Sequence, residues 1–208
     1  MAVRSDLAAI VLSAGFSHRM GSFKPLLPFG SSSVIERVIA TIRDAGVETI
    51  RVVVGWNAES LISVLDRCAA PWVRNERFAD GMYTSVQVGV RSLSPDVAAF
   101  FLMPGDMPLV RAATLTRLAA EWDSRPAGIL YPWHKGHRGH PPLITSGYIP
   151  EILREMPPGG LRELLRRHAT AARNIEVTDP GILADLDTPE EYRRWSETQA
   201  QPGPSVTP

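Results

Sequence analysis

Residues 7–27 read LAAIVLSAGFSHRMGSFKPLL, and the fold follows from how this stretch changes character along its length. Residues 7–12 are apolar without polar alternation, as in a strand covered on both faces. They run into a small-residue turn, Ser13-Ala14-Gly15, which is followed by Arg19, Met20, Gly21 and Lys24. An apolar strand that ends in glycine-rich backbone and fixed cations describes an anion cradle. Bare N–H groups at small residues approach a polyphosphate closely, and Arg19 and Lys24 supply neutralising charge. The spacing departs from two widespread phosphate loops. A Walker A loop carries Lys directly after its second glycine, whereas Lys24 comes three residues after Gly21. The dinucleotide pattern G-x-G-x-x-G is absent as well.

Further along, apolar residues recur at helical spacing in Ile35/Val38/Ile39/Ile42, Leu115/Leu118/Ala119/Trp122, Ile149/Ile152/Leu153/Met156 and Leu161/Leu164/Leu165/His168. The first stripe opens with Ser33 and Glu36 in capping-box register. Between the helices lie short apolar runs at 50–54, 98–103 and 128–131. Strands alternating with helices predict a doubly wound α/β sheet with ligands at the carboxyl ends of its strands. After Pro132 the pattern loosens into a loop, WHKGHRGHPPLI, with a strand expected at 142–145 and further runs at 173–177 and 182–187. Residues 1–198 read as one domain, and the Pro/Gly/Ser-rich stretch 199–208 as a disordered tail.

Lys+Arg and Asp+Glu balance at 22 each, so no global field recruits nucleic acid or a membrane surface. No apolar run approaches the roughly 20 residues of a membrane span, and a cytoplasmic location is expected. The single cysteine, Cys68, excludes an internal disulfide and suits a small core hydrophobe. His134, His137 and His140 recur every three residues but lack a fourth soft ligand, which argues against zinc.

Two acidic positions stand out. Asp106 follows the apolar run 98–103 within Pro104-Gly105-Asp106-Met107-Pro108. A carboxylate there faces the ligand crevice and suits Mg²⁺, which takes one or two protein carboxylates beside water and phosphate. It also reads as a turn residue between prolines. Asp187, in Asp185-Leu186-Asp187-Thr188-Pro189-Glu190-Glu191, precedes a helix start with Thr188 as N-cap and Glu191 at N3. A carboxylate is favoured at that place with or without a metal.

The first loop resembles the signature of the MobA-like nucleotidyltransferases, L-x-(A/G)-G-x-S-x-R-M-G-x-x-K-x-L. It matches at Leu12, Ala14, Gly15, Ser17, Arg19, Met20, Gly21, Lys24 and Leu26. The likeness is closest to the molybdenum-cofactor cytidylyltransferase branch and spans residues 7 to about 195. Residues 75–85 resemble that branch's N-x-x-x-x-x-G-M-x-x-S segment, residues 136–141 its G-x-x-G-H-P, and residues 185–192 its D-(I/L)-D-T-P-E-(D/E)-Y ending. One segment departs: where the branch carries G-D-x-G-A-R, this chain reads Pro157-Pro158-Gly159-Gly160-Leu161-Arg162.

The resemblance implies a Rossmann-like three-layer sandwich of the nucleotide-diphospho-sugar transferase type, mostly parallel, with helices on both faces. It implies attack by an acceptor's phosphate on the α-phosphorus of a nucleoside triphosphate, with pyrophosphate leaving. Arg19, Lys24 and Asp106 would be catalytic, and Asp106 with Asp187 would hold Mg²⁺. Leu12, Ser13, Ala14, Gly15, Gly21 and Lys24 would contact the nucleotide, joined by Asn75, Gly81 and Ser85. Arg138, His140 and Arg162 would hold the acceptor. Ala14, where guanylyl-transferring members tend to carry Gly, points to CTP, with a molybdopterin-type acceptor and room for a molybdoenzyme partner. Guanylyl transfer, a different phosphorylated acceptor, and a non-catalytic cofactor-maturation factor are alternatives. A nicotinamide oxidoreductase would need an acid ending the second strand, which instead ends Val54-Gly55-Trp56-Asn57.

Overall fold

The computed structural model describes residues 4–16, 20–154 and 156–200. The strands are β1 (Leu7–Ser13), β2 (Pro28–Phe29), β3 (Ser32–Ser33), β4 (Thr49–Val54), β5 (Trp72–Arg74), β6 (Ala99–Pro104), β7 (Ile129–His134), β8 (His137–Arg138), β9 (Leu143–Thr145) and β10 (Ala172–Glu176). The helices are α1 (Val34–Asp44), α2 (Ala58–Arg67), α3 (Met82–Arg91), α4 (Ala112–Ser124), α5 (Ile149–Arg154), α6 (Gly160–Arg167) and α7 (Pro189–Ala200). The main sheet runs β10-β7-β9-β6-β1-β4-β5, with β8 paired to β7. Its pairs are parallel except those made by β9 and β8.

The unalternating character of β1 has its explanation in two cores. Leu7, Ala9 and Val11 join side chains of α1, α2 and α4 on one face. Ala8 and Ile10 join those of α3, α5 and α6 on the other. The chain is therefore a three-layer α/β sandwich, the doubly wound sheet that the strand–helix alternation predicted with the layering that the family resemblance implied. Helix α3 lies close on β1 because Gly89 has no side chain: a Cβ there would sit 2.5 Å from the Ile10 Cγ2. Since β4 and β6 flank β1, the connections leave β1 in opposite directions. That topological switch point opens a crevice at the carboxyl ends of β1 and β6.

Four local expectations change. Helix α5 ends at Arg154, and Met156 is half exposed; Pro157 disfavours helical backbone at the residue before it. The loop expected after Pro132 is partly strand. Lys135 and Gly136 both take positive φ, the requirement of a two-residue hairpin turn, and join β7 to β8. Residues 182–187 are not a strand but a short turn, Pro180–Leu183, followed by loop. Helix α7 extends to Ala200, and residues 201–208 of the expected tail lie outside the described part. Cys68 is half-buried against the core, with burial pushing its thiol pKa up. Among the described residues no helix is long and apolar enough to cross a membrane.

Candidate active site

A cavity of about 540 Å³ occupies the crevice at the switch point. Its floor is Leu12, Ser13, Ala14 and Gly15 from the end of β1 and Pro104, Gly105 and Asp106 from the end of β6. Gly81, Met82 and Ser85 line it from the start of α3, and Lys24 and Asp187 close one side. The β1 and β6 ends meet tightly. Gly105 N–H donates to the Leu12 carbonyl (2.9 Å), and a Cβ on Gly105 would lie 1.9 Å from the Ser13 Oγ. Glycine is required there by contact, not by a turn. The Ser13 hydroxyl is itself buried and has no hydrogen-bond partner.

Lys24 is the centre of charge. It starts a single 3₁₀ turn, Lys24–Leu26, and is 8% exposed. Its ammonium donates to Asp106 Oδ2 (3.1 Å) and Asp187 Oδ1 (2.5 Å). Burial alone would pull its pKa down, but the hydrogen bond to Asp187 and the field of Asp106 outweigh it and leave the value raised. Asp187 is held from both sides. Before it, Leu186 is buried with Phe29 and Val34, and its N–H donates to the Asp106 carbonyl (3.2 Å). After it, Thr188 N–H donates to Glu191 Oε2 (2.9 Å) and Glu191 N–H to Thr188 Oγ1 (3.2 Å), the predicted capping box. Helix α7 is tied to β2 by the Tyr192 hydroxyl on the Pro28 carbonyl (2.6 Å), so one patch fixes the segments carrying Lys24 and Asp187. The adjacent Asp185 has a raised pKa, from burial and from the charges of Asp187 and Asp106.

Asn75 acts from behind the cavity. It is buried, donates to Thr84 Oγ1 and Ser85 Oγ (2.9 Å each) and accepts from the Arg77 N–H, which fixes the first turn of α3. The structure thus brings Ser85 and Gly81 to the cavity and puts Asn75 under them. Gly21 takes φ +65° and is not among the lining residues. Arg19 and Ser17 lie outside the described residues. Sequence reading missed an aromatic wall. Phe16 and Phe78 line the cavity with rings 5.2 Å apart, backed by Trp56 and Phe23 at 5.4 Å from each other. The available signal was four aromatics in loop positions outside any helical or strand stripe.

A model of the MobA-like NTP transferase domain matches residues 9–172. The chain belongs to that family. Over 191 residues it is 25% identical to the molybdenum cofactor cytidylyltransferase of Escherichia coli K12, covering 90% of this chain and 94% of that one. Among solved structures, Rv0371c from Mycobacterium tuberculosis H37Rv superposes with a TM-score of 0.79 at 26% identity, covering 95% of this chain and 99% of that one. The same protein solved as a complex with manganese gives 0.77 at 25%, covering 93% and 100%.

In this MobA-like chain the three residues expected to hold an acceptor do not converge. Arg138, exposed on β8, lies 4.4 Å over the Tyr131 ring and donates to Asn174 Oδ1 (2.7 Å), outside the cavity lining. Arg162 is exposed on α6, also outside it. His140 stands nearer. It keeps an exposed edge, yet loss of surrounding water lowers its imidazole pKa against the upward pull of Asp106 and Asp185. The neighbouring Gly139 is fixed by contact, since a Cβ would meet the Ile182 carbonyl at 2.4 Å. His134 is taken up by the Val177 carbonyl (2.9 Å), and the described residues contain no group of three His, Cys, Asp or Glu able to hold a metal. Two hard carboxylates converging from separate segments do suit a hard divalent cation that completes its shell with phosphate and water.

Proposed function

We propose that this MobA-like protein moves a cytidylyl group from CTP to the phosphate of a molybdopterin-type acceptor, releasing pyrophosphate. One observation carries the reading: Asp106, Asp187 and Lys24 converge at the mouth of a cavity floored by bare backbone at the switch point. In such a transfer the protein does little covalent work, and positioning and charge neutralisation supply most of the acceleration. Backbone N–H groups around Gly15 would cradle the triphosphate. Lys24, with Arg19, would take up charge as pyrophosphate departs. Asp106 and Asp187 would hold Mg²⁺, which when bound neutralises phosphate oxygens. Ser85 offers a hydroxyl and Gly81 a close approach along the nucleotide, while Phe16 and Phe78 exclude water from one side. On the acceptor side His140 is the best-situated group, with Arg138 and Arg162 further out. The choice of CTP is supported by Ala14 and by likeness to the Escherichia coli cytidylyltransferase along nearly all of both chains. A cytoplasmic site of action and delivery to a molybdoenzyme accord with that choice.

A pyrophosphate-release assay with each of four nucleoside triphosphates, Mg²⁺ and molybdopterin tests the reading. CTP is expected to exceed GTP at least tenfold, a difference of about 1.4 kcal/mol. Preference for GTP would overturn the base assignment. Turnover only with another phosphorylated acceptor would overturn the molybdopterin assignment and leave nucleotidyl transfer standing.

A further inference from the structure

The ammonium of Lys24 stands between the two carboxylates that the functional reading gives to a metal ion. Its nitrogen is 3.1 Å from one carboxylate oxygen and 2.5 Å from the other, the two acids lying 82 and 163 residues along the chain from it. All three side chains are largely withdrawn from water, at 10%, 27% and 22% exposure. We propose that Lys24 is a built-in counter-cation for the Asp106–Asp187 pair, so that a divalent ion is admitted only when an incoming polyphosphate draws the lysine away. The inference rests on the nucleotidyl-transfer reading and concerns the order in which that site is filled.

Each step follows from charge and reach. Two carboxylates this close and this dry repel one another unless a cation lies between them. Lys24 meets that need. A divalent ion bound to the same oxygens at about 2.0–2.1 Å would share its space with the ammonium and be repelled by it. The lysine must therefore leave first, and a largely buried, doubly paired ammonium leaves only for another anion. The polyphosphate cradle at the end of β1 offers it a new anionic partner, since Gly15 and Lys24 line the same cavity. A flexible four-carbon stem carries the charge across without backbone movement. The backbone here is well anchored: Leu186 and the Tyr192–Pro28 hydrogen bond hold the Asp187 and Lys24 segments together. The exchange is thus a side-chain event. Nucleotide and metal enter as a unit, and the metal alone finds its seat taken.

Binding of Mn²⁺ alone, without nucleotide, tests this through the electron paramagnetic resonance signal of the free ion. Lys24→Met and Lys24→Gln are each expected to bind Mn²⁺ at least tenfold more tightly than wild type, and Asp106→Asn should erase that gain. Two variants guard against one failing to fold, which a thermal melt reports. If both bind within twofold of wild type while Asp106→Asn weakens binding in every background, the lysine is no gate, and the acid pair remains the metal site. If the gain survives Asp106→Asn, the acid pair is not the seat of the ion, and the functional reading falls with the gate. Wild type supplies a further arm. Amine acylation of Lys24, followed by mass spectrometry, should be as slow with Mn²⁺ alone as with chelator, and faster labelling with Mn²⁺ alone would overturn the proposal.

Discussion

The two groups of candidate residues differ in what holds them and in whether they meet. On the β1 side, Ser13, Gly15, Lys24, Asp106 and Asp187 face one cavity and are fixed by backbone contacts, a capping box and a buried leucine. On the β7 side, Arg138 is spent on Tyr131 and Asn174, Arg162 faces outward from α6, and only His140 comes near the acids. The difference teaches where precision resides. Nucleotidyl transfer, as proposed, calls for fixed groups, and the fixed groups lining the cavity sit on the end of β1, the end of β6 and the anchored start of α7. The residues proposed for the acceptor are held by partners outside the cavity: Arg138 by Tyr131 and Asn174, and the Gly139–His140 backbone by Ile182.

The contrast breaks most sharply at Asp106. Asp106→Ala should lower turnover at saturating Mg²⁺ at least about a hundredfold. The fold should survive, because the contact from Leu186 uses the backbone carbonyl. Retention of more than a tenth of wild-type turnover would show that the fixed half is not the reacting half. Lys24→Ala comes next, with a loss of about 2 kcal/mol in kcat/KM for the triphosphate, roughly thirtyfold. Unchanged kinetics would put the polyphosphate elsewhere.

Tightness itself can be tested without activity. Gly105→Ala forces a methyl to 1.9 Å from the Ser13 Oγ and 3.0 Å from the Leu12 carbonyl. A stability loss of about 1–3 kcal/mol is expected in urea unfolding. In a Ser13→Ala background part of that penalty should disappear, and equal losses in both backgrounds would mean that the hydroxyl is not what excludes a side chain. On the β7 side, His140→Ala should raise the acceptor KM severalfold while leaving that of CTP within about twofold. A combined Arg138→Ala/His140→Ala variant with wild-type acceptor affinity would remove this surface from the site.

The smallest effect is electrostatic. Folding raises the Asp185 carboxyl above its ordinary 3.8, through burial and the charges of Asp187 and Asp106. A raised carboxyl favours the folded state below its unfolded value, and that contribution is lost as pH climbs through the folded value. At neutral pH the charged form is therefore a burden. Asp185→Asn should raise the melting temperature by about one or two degrees at pH 7, with the gain vanishing as pH falls below 3.8. A gain that persists in acid would implicate packing instead.

How much of this was legible follows from what each signal depends on. The β1 loop was readable because its chemistry lies within one short segment: strand, small residues and cations at fixed spacing. The Thr188–Glu191 cap was readable for the same reason, and it oriented Asp187 before any contact was known. Asn75 was readable as part of the segment but not as an anchor, since only the fold sets Thr84 and Ser85 against it. The glycines at 105 and 139 owe their identity to residues far along the chain, Ser13 and Ile182, and spacing carries no trace of such contacts. Arg138 illustrates the converse. A cation in a histidine-rich loop reads as a ligand until the hairpin turn at Lys135-Gly136 lays it over an aromatic ring.

The clasp between α7 and β2 has a consequence in time. A chain leaving the ribosome presents the Lys24 segment early, when neither acid has yet been made. Asp187 arrives 163 residues after Lys24, and the Tyr192 hydroxyl that ties its helix to Pro28 arrives later still. Until then the lysine lacks its closer carboxylate, and the crevice is a half-built lock. The contact between Lys24 and Asp187 is thus a late acquisition of the nascent protein, made only when α7 folds back on the Lys24 segment.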